Sequence, residues 1–365
     1  MRVRLFCCFV LLAVVMAAPD SAQAAGWHLI TMPDAAQSWG GQAVATFGPH
    51  RAYLVGQDET GAAMVARYDG IGWHEAYQGP ASSTYNAVAK VRRQRAWVVG
   101  STTMPDGGAQ AVVAHLDDGW QESPAANRPV FANNLYGVAA VSDHNVWAVG
   151  SSSNDDYATT HTLAEHWDGD HWSIVASPTP DPAGGNELTA VAADRDGAVF
   201  ASGYTDTTPL LLRRGAVRWH RLQLPVLPGF DDAISGVAVR SATDAWFVGT
   251  FQRTSDGLSR PLVLHWNGTA LRRVRARQPS PWDSSYLTAV TITRRGRVYG
   301  AGTALYSSFD APQATVWRFS RGVFVPVTTP AVGGSQMVSI NAGRGLLLAL
   351  GDAELSGAFT ERHTL

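Results

Sequence analysis

Lysine is almost missing from this chain of 365 residues: Lys90 is the single copy, and arginine supplies the other basic charge. Cysteine is nearly as scarce, with Cys7 and Cys8 its two copies. Charged residues make up 16% and the formal net charge is -2, so a nucleic-acid partner is not expected on electrostatic grounds. The apolar run from Leu5 to Ala18 falls short of the roughly 20 residues that cross a bilayer, so no membrane span is expected. Beyond that run there is no amphipathic pattern of helical period, which excludes a helical solenoid.

Both cysteines belong to that apolar run. Arg2 and Arg4 precede it, and Ala22-Gln23-Ala24 follows as a small-x-small cleavage signal. Residues 1–24 therefore read as a secretory signal peptide, leaving 25–365 as a single domain that is secreted or periplasmic. The mature chain would hold no cysteine, which removes disulfides, thiol nucleophiles and cysteine metal sites. No metal or cofactor is expected, and a monomer is.

What the chain has is glycine, 36 copies, and aromatic residues at 10%. An aromatic stands three residues before a glycine again and again: Tyr53/Gly56, Trp97/Gly100, Trp147/Gly150, Phe200/Gly203, Trp246/Gly249 and Tyr299/Gly302, with Leu348/Gly351 a degenerate copy. Spacings of 44 to 53 residues suit four-stranded propeller blades. Each repeat divides into strands A to D. Strand A is small, as in "GVAAV" from Gly137, strand B carries the aromatic, and strand D opens on another, as at Trp73, Trp120, Trp172, Trp219 and Phe324. Between strands C and D, Asp168-Gly169 reads as a type I′ hairpin turn.

The last repeat offers strands A to C and stops, while "GWHLITMP" from Gly26 matches "HWSIVASP" at strand D. The expected fold is therefore all-β: a seven-bladed β-propeller of four-stranded antiparallel blades, the last closed by the N-terminal strand. The "VWAVG" and "HWDGxxW" phrases resemble repeats of secreted bacterial seven-bladed β-propeller proteins. That resemblance brings architecture and no catalytic motif.

His161, His166 and His171 are spaced like a metal cluster, but five extended residues span about 16 Å and separate them. His166 instead occupies a basic strand-C position shared with Arg67, His115, Arg213, His265, Arg318 and Arg362. Asp boxes of the sialidase type are absent from the C–D turns. "LRRVRAR" from Leu271 reads as a charged outer strand.

B–C loops and D–A crossovers leave the same face of such a disc and are the longer connections, so ligand contacts are expected there. Candidate binding residues are Trp39, Tyr85, Asn134, Tyr157, Asp232, Trp282, Asp283 and Tyr286, aromatics beside amides and carboxylates that suit a sugar ring or a protein surface. The expected function is a secreted binding or scaffold module for an extracellular glycan or protein. The alternatives are a glycosidase or polysaccharide lyase using Asp232 and Asp283, and an envelope assembly factor.

Overall fold

The computed structural model describes residues 26–30, 32, 40–91, 95–154, 159–206, 208–225, 230–306, 312–330, 334–353 and 357–365. Among them the chain is all-β, 29 strands in six hydrogen-bonded sheets without a helix. Four sheets are four-stranded antiparallel blades. The eight-stranded sheet is two consecutive meanders, 83–123 and 132–174, joined at one parallel pairing of Ala132 with Ala109. A fifth strand, Arg275–Ala276, lies parallel on Val323–Val327 in the remaining sheet. The arginine stretch thus leaves its own blade after Leu271–Arg273 and clips onto the next.

The recurring glycine has a steric cause. Strand A carries a β-bulge opposite it, with register shifts such as Leu135/Gly137 and Leu188/Ala190. The bulge drives a strand-A carbonyl against the glycine Cα. A Cβ at Gly150 would lie 1.8 Å from the Asn134 carbonyl oxygen, and Gly100, Gly203 and Gly249 meet the same obstacle at 1.8 to 1.9 Å. Any side chain there would displace backbone.

The aromatics knit one repeat to the next. The strand-B ring packs edge-on against the strand-D ring of the following repeat: Tyr53 on Trp120 at 5.5 Å, Trp97 on Trp172 at 5.2 Å and Trp147 on Trp219 at 5.4 Å. Tyr299 shares a buried cluster with Trp27, and Leu348 one with Trp73, which carries the pattern through the chain ends. On the other side of the strand-B ring stands its strand-C partner in register, the repeated basic residue. His166 lies over Trp147 at 4.4 Å and bonds Asn145 at 3.0 Å; His265 lies over Trp246 at 4.3 Å and bonds Asp244 at 2.9 Å. In these two repeats the basic residue braces the A–B turn.

Trp27–Ile30 pairs antiparallel with Gly357–Thr364, Trp27 opposite His363 and Ile30 opposite Thr360. Across the neighbouring seam Trp73 Nε1 donates to Thr360 Oγ1 at 2.9 Å, and the Thr46 hydroxyl donates to Asn341 Oδ1 at 2.8 Å. The expected type I′ turn at Asp168-Gly169 is replaced by a four-residue loop. Trp167 pairs with Trp172, and Asp168 Oδ1 accepts the backbone N–H groups of Asp170 and His171. Asp69 and Asn267 do the same in their repeats, because a side-chain acceptor satisfies turn donors that no strand reaches.

Candidate functional site

The inner strands Gly40–Gly48, Ser83–Lys90, Ala132–Ser142, Asn186–Ala193, Phe230–Ser241, Ser284–Ile292 and Ser335–Ala342 surround a central channel of about 1430 Å³. Its wall is largely Ala, Val and Gly, so the strands approach closely without filling the axis. The bulged strand-A residues include Asn86, Tyr136, Thr189, Ser235 and Thr288, all on the channel wall. Two also tie neighbouring repeats together: Asn86 donates to the Leu135 carbonyl and Thr288 to the Met337 carbonyl, each at 2.8 Å.

At the mouth bearing the B–C loops, the strand ends present polar and aromatic groups. Tyr204 faces Glu187, its cross-strand partner, so that a phenol and a carboxylate stand side by side. Burial pushes Glu187 above the usual carboxylate range, the Tyr204 hydroxyl countering part of the effect. Burial and the facing carboxylate push the Tyr204 phenol up as well. Ser151 Oγ reaches the Tyr136 hydroxyl at 3.4 Å. Further round the mouth, the half-buried Tyr286 donates to Gln336 Oε1 at 2.9 Å, and Trp282 packs on Tyr306 with centroids 4.7 Å apart. Tyr204 and Tyr306 both keep part of their rings exposed.

The residues expected from sequence to bind ligand fare differently. Trp39 and Tyr157 lie outside the described residues. Tyr85 is corrected: it is fully buried, stacked near Tyr77 at 6.5 Å, and cannot meet a ligand. Both faces of a blade pack against neighbours, so an inward aromatic reads like an outward one. Asn134 is half-buried, pairs with Ser151 in register and sets its carbonyl against Gly150. Asp232 pairs with Phe251 on the inner strand, its side chain outside the described atoms. Asp283 has a buried Oδ1 with no partner, and its backbone carbonyl accepts from Arg260.

The expectation that the B–C and D–A connections are the longer ones is corrected at two places. A single residue, Ser82, joins Trp73–Ala81 to Ser83–Lys90, and two residues join Val199–Thr205 to Thr208–Arg214. Both tight places use left-handed backbone at a non-glycine residue, Ser82 (φ 54°) and Asp206 (φ 49°). Missed altogether were Glu187 and Tyr204, whose only signal is that they face each other across strands A and B. Among the described residues no three potential metal ligands converge.

No protein-family model matches the chain, and no curated protein does. Solved structures do. Over 93% of its length the chain is similar to YCF48 from Cyanidioschyzon merolae, with 14% identity, a TM-score of 0.61 and 99% of that chain covered. It is similar to YCF48 bound to D1 peptide at 11% identity and TM-score 0.57, over 93% of this chain and 97% of that one. It is similar to the WD40 beta propeller domain of Doa1 at 11% identity and TM-score 0.56, over 92% and 96%. The fold is a β-propeller. Likeness at these identities extends to the fold alone, and the propeller's chemistry is read from its own residues.

Proposed function

We propose that this chain is a seven-bladed propeller serving as a binding scaffold, with a protein segment docked at the loop-side mouth of its channel. Counting the eight-stranded sheet as two blades, divided at the lone parallel pairing, supports the number seven. The observation that carries the function is the group Glu187, Tyr204, Tyr136, Tyr286 and Gln336 around one opening. These are hydrogen-bonding groups on rigid strand ends, where contacts are preorganised and lose little entropy on binding. The structural neighbour YCF48 is known bound to D1 peptide, so a propeller of this kind can serve as a peptide-binding scaffold.

An extracellular glycan is the second reading, favoured by the Trp282–Tyr306 pair, an aromatic platform of the kind that stacks on sugar rings. Secretion through residues 1–24 accords with either. The test is binding of the protein to peptide and glycan arrays, repeated with Tyr204→Ala and Trp282→Ala. Loss of peptide signals with Tyr204→Ala supports the first reading; loss of glycan signals confined to Trp282→Ala supports the second. Turnover of chromogenic glycosides, abolished by Asp232→Asn or Asp283→Asn, would replace both with the enzyme alternative.

A further inference from the structure

The opposite mouth of the channel, where strands A turn into strands B, has a different character. Its charged lining is five cations, Lys90, Arg195, Arg240, Arg294 and Arg344, against one carboxylate, Asp194. The whole chain is net negative, so this ring is a local segregation of charge. The other acids of this face lie off the channel lining, in the C–D turns at Asp69, Asp117, Asp118, Asp168 and Asp170 and at the A–B turns at Asp143, Asp196 and Asp244. The only lysine in the sequence is placed here.

Little neutralises the ring. Asp194 is turned into its own loop, with Oδ1 accepting from Asp196 and Ala198. Arg240 is paired with Asp244. Among the described residues Arg195, Arg294 and Arg344 have no ion pair, and all three are exposed. Lys90 donates to the Phe47 carbonyl at 3.0 Å and lies over the Phe47 ring. Burial, followed by the nearby Arg294, Arg195 and Arg51, pulls its pKa down, so these cations feel one another across the opening. Clustering like charges costs free energy unless a counter-charge occupies the site.

The backbone narrows the class of ligand. The turns are closed on themselves: Val91 donates to Arg95 at 3.0 Å, Asp194 to Ala198 at 3.0 Å, Thr293 to Arg297 at 2.8 Å and Gly343 to Leu346 at 2.8 Å. A peptide adding as a strand would find no open ladder here. What remains on offer is side-chain cations, mostly guanidinium forks that match phosphate oxygens. With the cations spread around an opening, a single small ion meets one or two of them, whereas a chain of phosphates meets several. We propose that the turn-side mouth is a binding site for a linear multivalent phosphate, held by Lys90, Arg195, Arg294 and Arg344.

Tripolyphosphate is the probe, titrated calorimetrically into the protein at low and at near-physiological salt, beside orthophosphate and an oligoglutamate peptide of equal charge. Tripolyphosphate is expected to bind, to weaken steeply with salt, and to outcompete both comparators. The triple variant Arg195→Gln/Arg294→Gln/Arg344→Gln keeps a polar, uncharged side chain of similar shape and is expected to lose at least about tenfold in affinity, with an unchanged urea midpoint showing that it is folded. Arg218→Gln, on an outer turn of the same face, should bind as the wild type does. Absence of binding at low salt, affinity undiminished in the triple variant, or an equal loss in Arg218→Gln would overturn the site. Oligoglutamate binding as tightly as tripolyphosphate would overturn the phosphate assignment.

Discussion

Gly150 and Gly72 are the same residue type with opposite burdens. The first faces a carbonyl oxygen that a Cβ would strike at 1.8 Å; the second has open space around it. Gly150→Ala is therefore expected to destabilise by about 3 kcal/mol or more, because only backbone can yield, while Gly72→Ala stays within about 0.5 kcal/mol. Urea denaturation of the pair checks both. Two buried acids make a pH prediction. Glu165 and Glu361 hold the strand-C position before the repeated basic residue, where other repeats have Ala66, Ala114, Leu212, Leu264 and Trp317. Burial pushes Glu165 up to about 7, with Ala126 N–H donating to Oε2 at 3.1 Å, and Glu361 up to about 8, with Thr329 countering in part. The unfolded chain gives up these protons near the ordinary value of 4.5, and the folded chain keeps them, so folding stability falls as pH rises from about 4.5 to about 8. Glu361→Gln should flatten that slope, read from melting temperature against pH. Nothing in the sequence marks these acids as buried: in a repeat, a substituted position looks like a tolerated surface change, and burial is set by a neighbouring blade.

At the scale of the strand, the legible features were those fixed locally. The aromatic three residues before glycine placed each strand B, and the likeness of "GWHLITMP" to "HWSIVASP" paired the chain's first described strand with its last. The illegible ones depend on contacts between strands. The strand-A bulges and the inward placement of Tyr85 arise where two backbones or two blades meet, and a period of two cannot report them. Ser82 escaped because a one-residue crossover leaves no loop signature in the sequence. Trp27 is 3% exposed and packs into the cluster with Tyr299 and Leu347. Trp27→Ala is expected to cost about 3–5 kcal/mol and to loosen the pairing with Gly357–Thr364, measured as faster amide exchange at Thr360 and Arg362. Trp73→Phe keeps most of the buried ring and removes the bond to Thr360, leaving that hydroxyl without its donor. About 1 kcal/mol is expected there by urea titration.

Across the whole molecule the two mouths of the channel differ in chemistry, with hydroxyl, amide and carboxylate groups at one and cations at the other. A saturating amount of tripolyphosphate should therefore leave peptide or glycan binding at Tyr204 and Trp282 unchanged, and a competition titration would reveal any shared site. The site as a whole was only partly readable, since Trp282 and Tyr286 come with turn-like neighbours while Glu187 and Tyr204 declare themselves only in register. The seam beside the chain ends has one further consequence. The bond from Trp73 to Thr360 bridges 287 residues, and Trp27–Ile30 finds its partner farther along still. On a ribosome, the earliest strand of the barrel-like disc must wait, unmatched, while almost every later repeat is made. Assembly is then a race between late annealing and premature sticking of a bare edge, and such long-range closure is intrinsically slow.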